Sequence, residues 1–184
     1  MLAVTIGASV GLILLGARHI FASFWAQPLQ AYAQGEAFDL RQDLNGDFIC
    51  DGVIYGPMGR VVSRFHATMA VTWDEHGEGK LDETFTYDTG NTQDRVWTLK
   101  VQDDGVISGN ASDFVGPLAG LQSGDAVGLR YRIRLAAEAG GHVLTVRDWM
   151  YKTPSGTIIN RSEMRKFGIK VAELNAVIMP APDA

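Results

Sequence analysis

The stretch Ala126-Val127-Gly128-Leu129-Arg130-Tyr131-Arg132-Ile133-Arg134-Leu135 decides the fold. Val127, Leu129, Tyr131, Ile133 and Leu135 fall on one side of an extended chain, and Arg130, Arg132 and Arg134 on the other. A period of two belongs to a β-strand with one face on a core and one face in water, whereas a helix would carry the arginines round onto the apolar side. Upstream, Val61, Phe65, Ala67, Met69, Val71 and Trp73 alternate in the same way with Arg64, His66, Thr68 and Thr72.

About nine such runs follow one another after Asp47, separated by compact turn signals. These are Gly56-Pro57-Met58-Gly59, Asp74 to Gly79, Asp88-Thr89-Gly90-Asn91, Asp103-Asp104-Gly105, Gly140-Gly141 and Pro154-Ser155-Gly156. Gly, Asn and Asp tolerate the positive φ of tight hairpins, so each signal can reverse the chain. Closing the runs on themselves removes exposed edges, which predicts an all-β, antiparallel, lipocalin-like (calycin-type) barrel of about eight to ten strands. A two-sheet sandwich is the alternative. The final segment, Met164 to Met179, reads as strand, although its Ala, Leu and Glu content also suits a helix.

The chain has 184 residues, the size of one domain plus a leader. From Met1 to Ala17 no side chain is charged, and Val10 to Gly16 is strongly apolar; Arg18 and His19 then interrupt the run. The stretch is just long enough for a short membrane-spanning helix, with Arg18 snorkelling and Phe21, Phe24 and Trp25 in the aromatic belt. A cleaved signal is the competing reading, but no basic residue precedes the run, and Ala31-Tyr32-Ala33 lies too far beyond it for cleavage. The expected division is an anchor helix over 1–25, a linker over 26–46 and a barrel over 47–180, with Phe38 and Leu40 free to dock on the barrel. Arg18 and Arg41 follow the apolar run and lean the domain towards the cytoplasm, with the periplasm as alternative.

A net charge of -5 argues against nucleic acid as a partner. The single cysteine, Cys50, excludes an internal disulfide and reads as a small buried hydrophobe. His66, His76 and His142 lie on a polar face or in turns. No metal site, nucleophile elbow, phosphate loop or cofactor motif is present, and Val115 to Gly120 reads as a bend.

Polar residues in register with apolar ones are the informative ones, because burying them unpaired is costly. Glu83 is in phase with Leu81, Phe85 and Tyr87; Arg95 is in phase with Trp97 and Leu99 on the next strand; the two are expected to pair inside the barrel. Asp148 is in phase with Leu144, Val146 and Met150, and Asn160 with Ile158, Ser162 and Met164. Glu83, Tyr87, Arg95, Trp97, Tyr131, Asp148 and Asn160 are therefore the candidates for a polar lumen, with Arg95 suited to the headgroup of a lipophilic acid. An internal salt-bridge network is the plainer alternative.

Leu81–Tyr87 (LDETFTY), Gln93–Trp97 (QDRVW), Asp113–Pro117 (DFVGP), Asp148–Tyr151 (DWMY) and Asn160–Gly168 (NRSEMRKFG) together resemble the bacterial family catalogued as domain of unknown function 3833, from about Phe38 to Val177. The resemblance implies the barrel but no reaction. Many members of the family look like lipoproteins, whereas this chain lacks the anchor cysteine, and an association with fatty-acyl modification genes tilts the expectation towards lipid handling. The leading expectation is a barrel tethered to a bacterial inner membrane that binds a lipid or other hydrophobic small molecule. A non-catalytic accessory subunit beside integral membrane proteins comes second. A lipid-modifying enzyme using Glu83 or Asp148 as general acid or base comes last.

Overall fold

A computed structural model describes residues 23–182. Ten antiparallel strands follow one another and close into a barrel: β1 (Gly46–Tyr55), β2 (Val61–Trp73), β3 (Glu78–Tyr87), β4 (Thr92–Val101), β5 (Val106–Ala111), β6 (Leu118–Ser123), β7 (Ala126–Arg134), β8 (Val143–Lys152), β9 (Ile158–Lys166) and β10 (Ile169–Pro180). Each strand pairs with its neighbours in sequence, and β1 with β10 completes the ring. The barrel is therefore the up-and-down, lipocalin-like kind rather than two stacked sheets.

Alternation produces this outcome directly. On β2 the side chains of Phe65, Ala67, Met69 and Val71 are buried while those between them are exposed. They meet Leu81 on β3, Trp97 and Leu99 on β4, Leu129 and Tyr131 on β7, and Ile178 on β10 in one core. Gly52 on β1 faces this core because the Phe65 ring lies where a Cβ would be.

The final segment is a hairpin rather than one strand or a helix. β9 ends at Lys166 and β10 begins at Ile169, with Phe167 and Gly168 between them at φ values of 52° and 80°. Two positive φ values in a two-residue loop match the twist of the flanking strands. Gly168 is the only turn residue there, and an aromatic at the other position hides the reversal from a reading of composition. Phe167 is 93% exposed, so the conformation costs backbone strain without gaining burial. Phe167→Asn is expected to raise stability by about 0.5–1 kcal/mol, because Asn tolerates this region. A lower urea midpoint for the variant would show that the ring contributes packing.

The segment before the barrel packs against it. Phe38 and Leu40 are buried to 2% and 0% exposure, and Leu44 likewise to 2%. A one-turn helix, α1 (Leu40–Asp43), capped by Asp39 accepting from the Arg41 N–H, carries Leu40 into one end of the barrel. The Trp73 indole donates to the Leu44 carbonyl at 2.8 Å, and Lys152 pairs with Asp43 at 2.9 Å, so β2 and β8 both hold the plug.

Residues 23–37 lie along the outer face of β7, β8 and β9. Tyr32 meets the rings of Trp149 and Tyr151 edge-on, at 5.3 Å each. Arg147 donates to the carbonyls of Trp25 and Gln27. Burial comes first among the causes that hold its guanidinium down to about 10, with the Arg130 charge second, and it remains cationic at neutral pH. The strip explains why β8 is buried on both faces, with Val146, Asp148 and Met150 inward and Arg147 and Trp149 outward. Gly124, at φ 58°, lies against the Tyr32 carbonyl with no room for a side chain.

The expected anchor helix falls almost wholly on residues 1–22, outside the described residues. Among the described residues no helix is long and apolar enough to cross a membrane. Phe24 and Trp25, expected in an aromatic belt, instead begin a 3-10 turn laid on the barrel, with Arg161 over the Phe24 ring at 4.4 Å and Arg165 over Trp25 at 4.5 Å. Two guanidiniums on the outer wall offer these rings flat cationic partners.

Candidate functional site

The plug closes one end of the barrel; the other end, framed by the β1–β2, β3–β4, β5–β6, β7–β8 and β9–β10 connections, holds a chamber of about 360 Å³. Ile54, Phe65, Phe85, Ile133, Met164 and Leu174 make its walls. Its polar lining is Tyr87, Gln93, Arg95, Asp113 and Arg134. The volume lies at the lower end of the range usual for small-molecule sites, which are mostly apolar with a few placed polar groups.

Arg95, on β4, is the central polar group. It donates from Nε to Asp113 Oδ1 at 3.2 Å, while Nη2 lies 3.1 Å from Oδ2, and the pair is only partly exposed. Its guanidinium stacks 4.4 Å above the Trp97 ring and 5.5 Å from Phe114. Trp97, Phe114 and Tyr131 pack together beneath it, with Phe114 stacked on Tyr131 at 4.7 Å. Asp113 reaches Arg95 because its loop is tied to β7: the Arg134 N–H donates to the Asp113 carbonyl and the Val115 N–H to that of Arg132.

The expected Glu83–Arg95 pair is not formed. The two residues are direct register partners across β3 and β4, but Glu83 turns down to accept from the Trp97 indole at 2.7 Å and Arg95 turns up to Asp113. The Asp113 carboxylate at the mouth takes the guanidinium, accepting from Arg95 Nε with Nη2 in ion-pair range, and leaves Glu83 in the low-dielectric interior. Burial therefore pushes the Glu83 carboxyl up to about 7, against the opposing pull of the Arg95 charge and the Trp97 hydrogen bond.

Deeper still, Asp148 on β8 accepts from Tyr131 Oη at 3.1 Å, Asn160 Nδ2 at 2.6 Å and Ser162 Oγ at 2.7 Å. Its carboxyl is raised by burial first, opposed by these hydrogen bonds and the Arg95 charge. Burial also pushes the Cys50 thiol up to about 12, with the Glu83 charge adding to it, so this cysteine is an inert part of the core.

Of the seven residues singled out from the sequence, Tyr87 and Arg95 line the chamber. Trp97 and Glu83 form the layer below, and Tyr131, Asp148 and Asn160 a hydrogen-bonded cluster beside that layer. Asp113 was not among them, since it lies in a loop where periodicity carries no phase. Gln93, which accepts from the Tyr87 hydroxyl at 3.0 Å, shares a face with Arg95, and that phase was available.

A carboxyl that burial pushes from its ordinary value of 4.5 up to about 7 makes folding stability pH-dependent. Between those values the folded protein holds a proton that the unfolded chain has lost, so stability falls as pH rises through this window. Glu83→Gln keeps an oxygen for the Trp97 indole. It is expected to raise stability at pH 8 by about 1–3 kcal/mol relative to pH 4.5. Urea unfolding of both proteins across that window checks this; parallel curves would remove Glu83 as the cause.

The sequence profile of the family described as "Protein of unknown function (DUF3833)" matches residues 19–179. No functionally curated protein matches the chain. Among solved structures, the S-type phycobiliprotein lyase of Guillardia theta superposes with a TM-score of 0.55 at 5% identity, over 79% of this chain and 92% of that one. A DUF3598 protein of unknown function from Nostoc punctiforme gives a TM-score of 0.57 at 12% identity, over 81% of this chain and 51% of the other. At these identities the likeness is one of fold, and the chain spans about half the length of the second protein.

Proposed function

The chain belongs to the DUF3833 family, and on that premise we propose that it is a lipocalin-like carrier binding a lipophilic acid, tail in the mouth chamber and headgroup at Arg95. The observation that carries the reading is the chamber itself: apolar walls from Phe65, Phe85, Met164 and Leu174 end on Arg95 and Asp113. Arg95 is the cation that shares the inward face with the chamber walls, and a bound carboxylate or phosphate would compete with Asp113 for its guanidinium. The phycobiliprotein lyase supports the reading only by sharing the barrel.

The proposal includes a tether. The segment before Ser23, uncharged as far as Ala17, would hold the barrel on a bacterial inner membrane. Intact-mass measurement and carbonate extraction of membranes test that part, and a mature N-terminus beyond Ala17 in a soluble fraction would remove it.

For the binding itself, the full chain purified in a non-lipid detergent and sprayed under native conditions is expected to carry one co-purifying acid per chain, released by denaturation and identifiable in the extract. Consistently empty protein that also fails to take up added fatty acid would overturn the reading.

A further inference from the structure

The rim of the chamber carries a feature that ligand binding does not use. Among the described residues eight large apolar side chains are exposed, and five of them (Met58, Val61, Val62, Phe167 and Ile169) sit on the β1–β2 and β9–β10 hairpin tips. The four most exposed are all there: Phe167 at 93%, Met58 at 86%, Ile169 at 70% and Val62 at 65%. Strand β1 pairs with β10 as far as Tyr55 and Glu173, so the two tips are neighbours on one stretch of rim. Ile54 and Leu174, just inside them, line the chamber.

The charge at these tips opposes that of the molecule. Residues 56–62 and 166–170 contain Arg60, Lys166 and Lys170 and no carboxylate, in a chain of net charge -5. Arg60 is exposed; Lys166 lies 5.6 Å from the Phe167 ring; Lys170 reaches back to Glu173. Phe167 holds a left-handed conformation that Asn or Gly would adopt more easily, and its ring is not buried. A bulky ring kept at strained backbone on an exposed tip points to a use outside the fold. Clustered apolar side chains rimmed by basic ones match the interface of an anionic bilayer, where apolar groups enter the headgroup region and Lys and Arg meet lipid phosphates. The described chain also begins beside this rim, with Trp25 under Arg165, two residues from Phe167.

We propose that the β1–β2 and β9–β10 tips, through Met58, Val62, Phe167 and Ile169 with Arg60, Lys166 and Lys170, dock onto an anionic phospholipid bilayer and turn the chamber mouth towards it. This surface stands whether or not the chamber takes a lipophilic acid.

Depth measurement on the full chain separates tip docking from attachment by any other segment. Spin labels are placed at Met58→Cys, at Phe167→Cys and, as a control at the plugged end, at the exposed Asp104→Cys; Cys50 is buried and stays unlabelled. In phosphatidylglycerol-containing vesicles the labels at 58 and 167 are expected to gain oxygen collisions severalfold and lose collisions with a water-soluble relaxant, while the label at 104 stays aqueous. In pure phosphatidylcholine, or in the Arg60→Gln, Lys166→Gln, Lys170→Gln variant, immersion should largely disappear. Tip labels as aqueous as the one at 104, or equally immersed in neutral lipid, would overturn the proposal. So would strong label-to-label coupling without vesicles, which would assign the tips to self-association. Fatty-acid uptake in detergent by the triple variant reports separately on the chamber, and is expected unchanged.

Discussion

Asp148→Leu is expected to destabilise the barrel by about 3–6 kcal/mol, since each buried donor left without an acceptor costs about 1–3 kcal/mol. The substitution is nearly isosteric and Asp148 is 7% exposed, so lost volume is not the cause. The donors are the Tyr131 hydroxyl, the Ser162 hydroxyl and the Asn160 amide, converging from β7 and β9 on one carboxyl of β8; Asn160 keeps the Trp149 carbonyl at 3.2 Å, so the two hydroxyls carry most of the loss. Asp148→Asn keeps one acceptor oxygen, and because burial already favours the neutral acid it should lose less than half as much. Because this carboxyl is raised, its contribution also weakens as pH rises, in the same direction as that of Glu83. Urea titrations of the three proteins decide the matter. An Asp148→Leu protein as stable as the parent would mean that the cluster is hydrated from the chamber rather than sealed beneath it.

Arg95→Leu should affect binding more than folding. Its partner Asp113 is 23% exposed at the side chain and can turn to water, so the stability loss is about 1–2 kcal/mol, smaller than for a sealed pair. A bound acid loses its cation and meets the Asp113 charge instead, which together should weaken affinity by at least about tenfold. Adding Asp113→Asn to Arg95→Leu should recover part of the stability and part of the affinity, because it removes the stranded carboxylate. Glu83→Gln added to Arg95→Leu should not recover stability in that way, since Glu83 is bound to Trp97. Thermal melts and fatty-acid titrations of the single and double variants check both statements. Rescue by Glu83→Gln instead of Asp113→Asn would return Arg95 to the interior pair.

The barrel was legible where periodicity was clean and turn residues explicit. Ala126–Leu135 and Val61–Trp73 show one buried face each, and the turns at Gly59, Gly90, Gly105 and Gly156 all carry positive φ. The Phe167–Gly168 reversal stayed hidden because an aromatic occupies a position that Asn or Gly would have announced. Arg95 and Glu83 were rightly placed on one face, but phase says which way a side chain leaves the backbone and not which of two nearby partners it meets. Asp113 won Arg95 from a loop that has no phase at all. Within the strip of residues 23–37, positions 23–25 read as the end of the anchor and the rest as linker, because its contacts, through Tyr32, Gln27 and the Trp25 carbonyl, are long-range and aperiodic. Its trace in the sequence is indirect: β8 carries Trp149 on the face that alternation assigns to water, and a Trp there requires a cover.

The most direct test of the carrier reading is titration of the delipidated full chain with a fluorescent fatty acid, alongside Met164→Trp, which places an indole into the chamber from β9. The account predicts saturable one-to-one binding that unlabelled fatty acid displaces, and its loss in Met164→Trp at an unchanged melting temperature. Binding that survives the filled chamber, or no saturable binding by the parent, would contradict it.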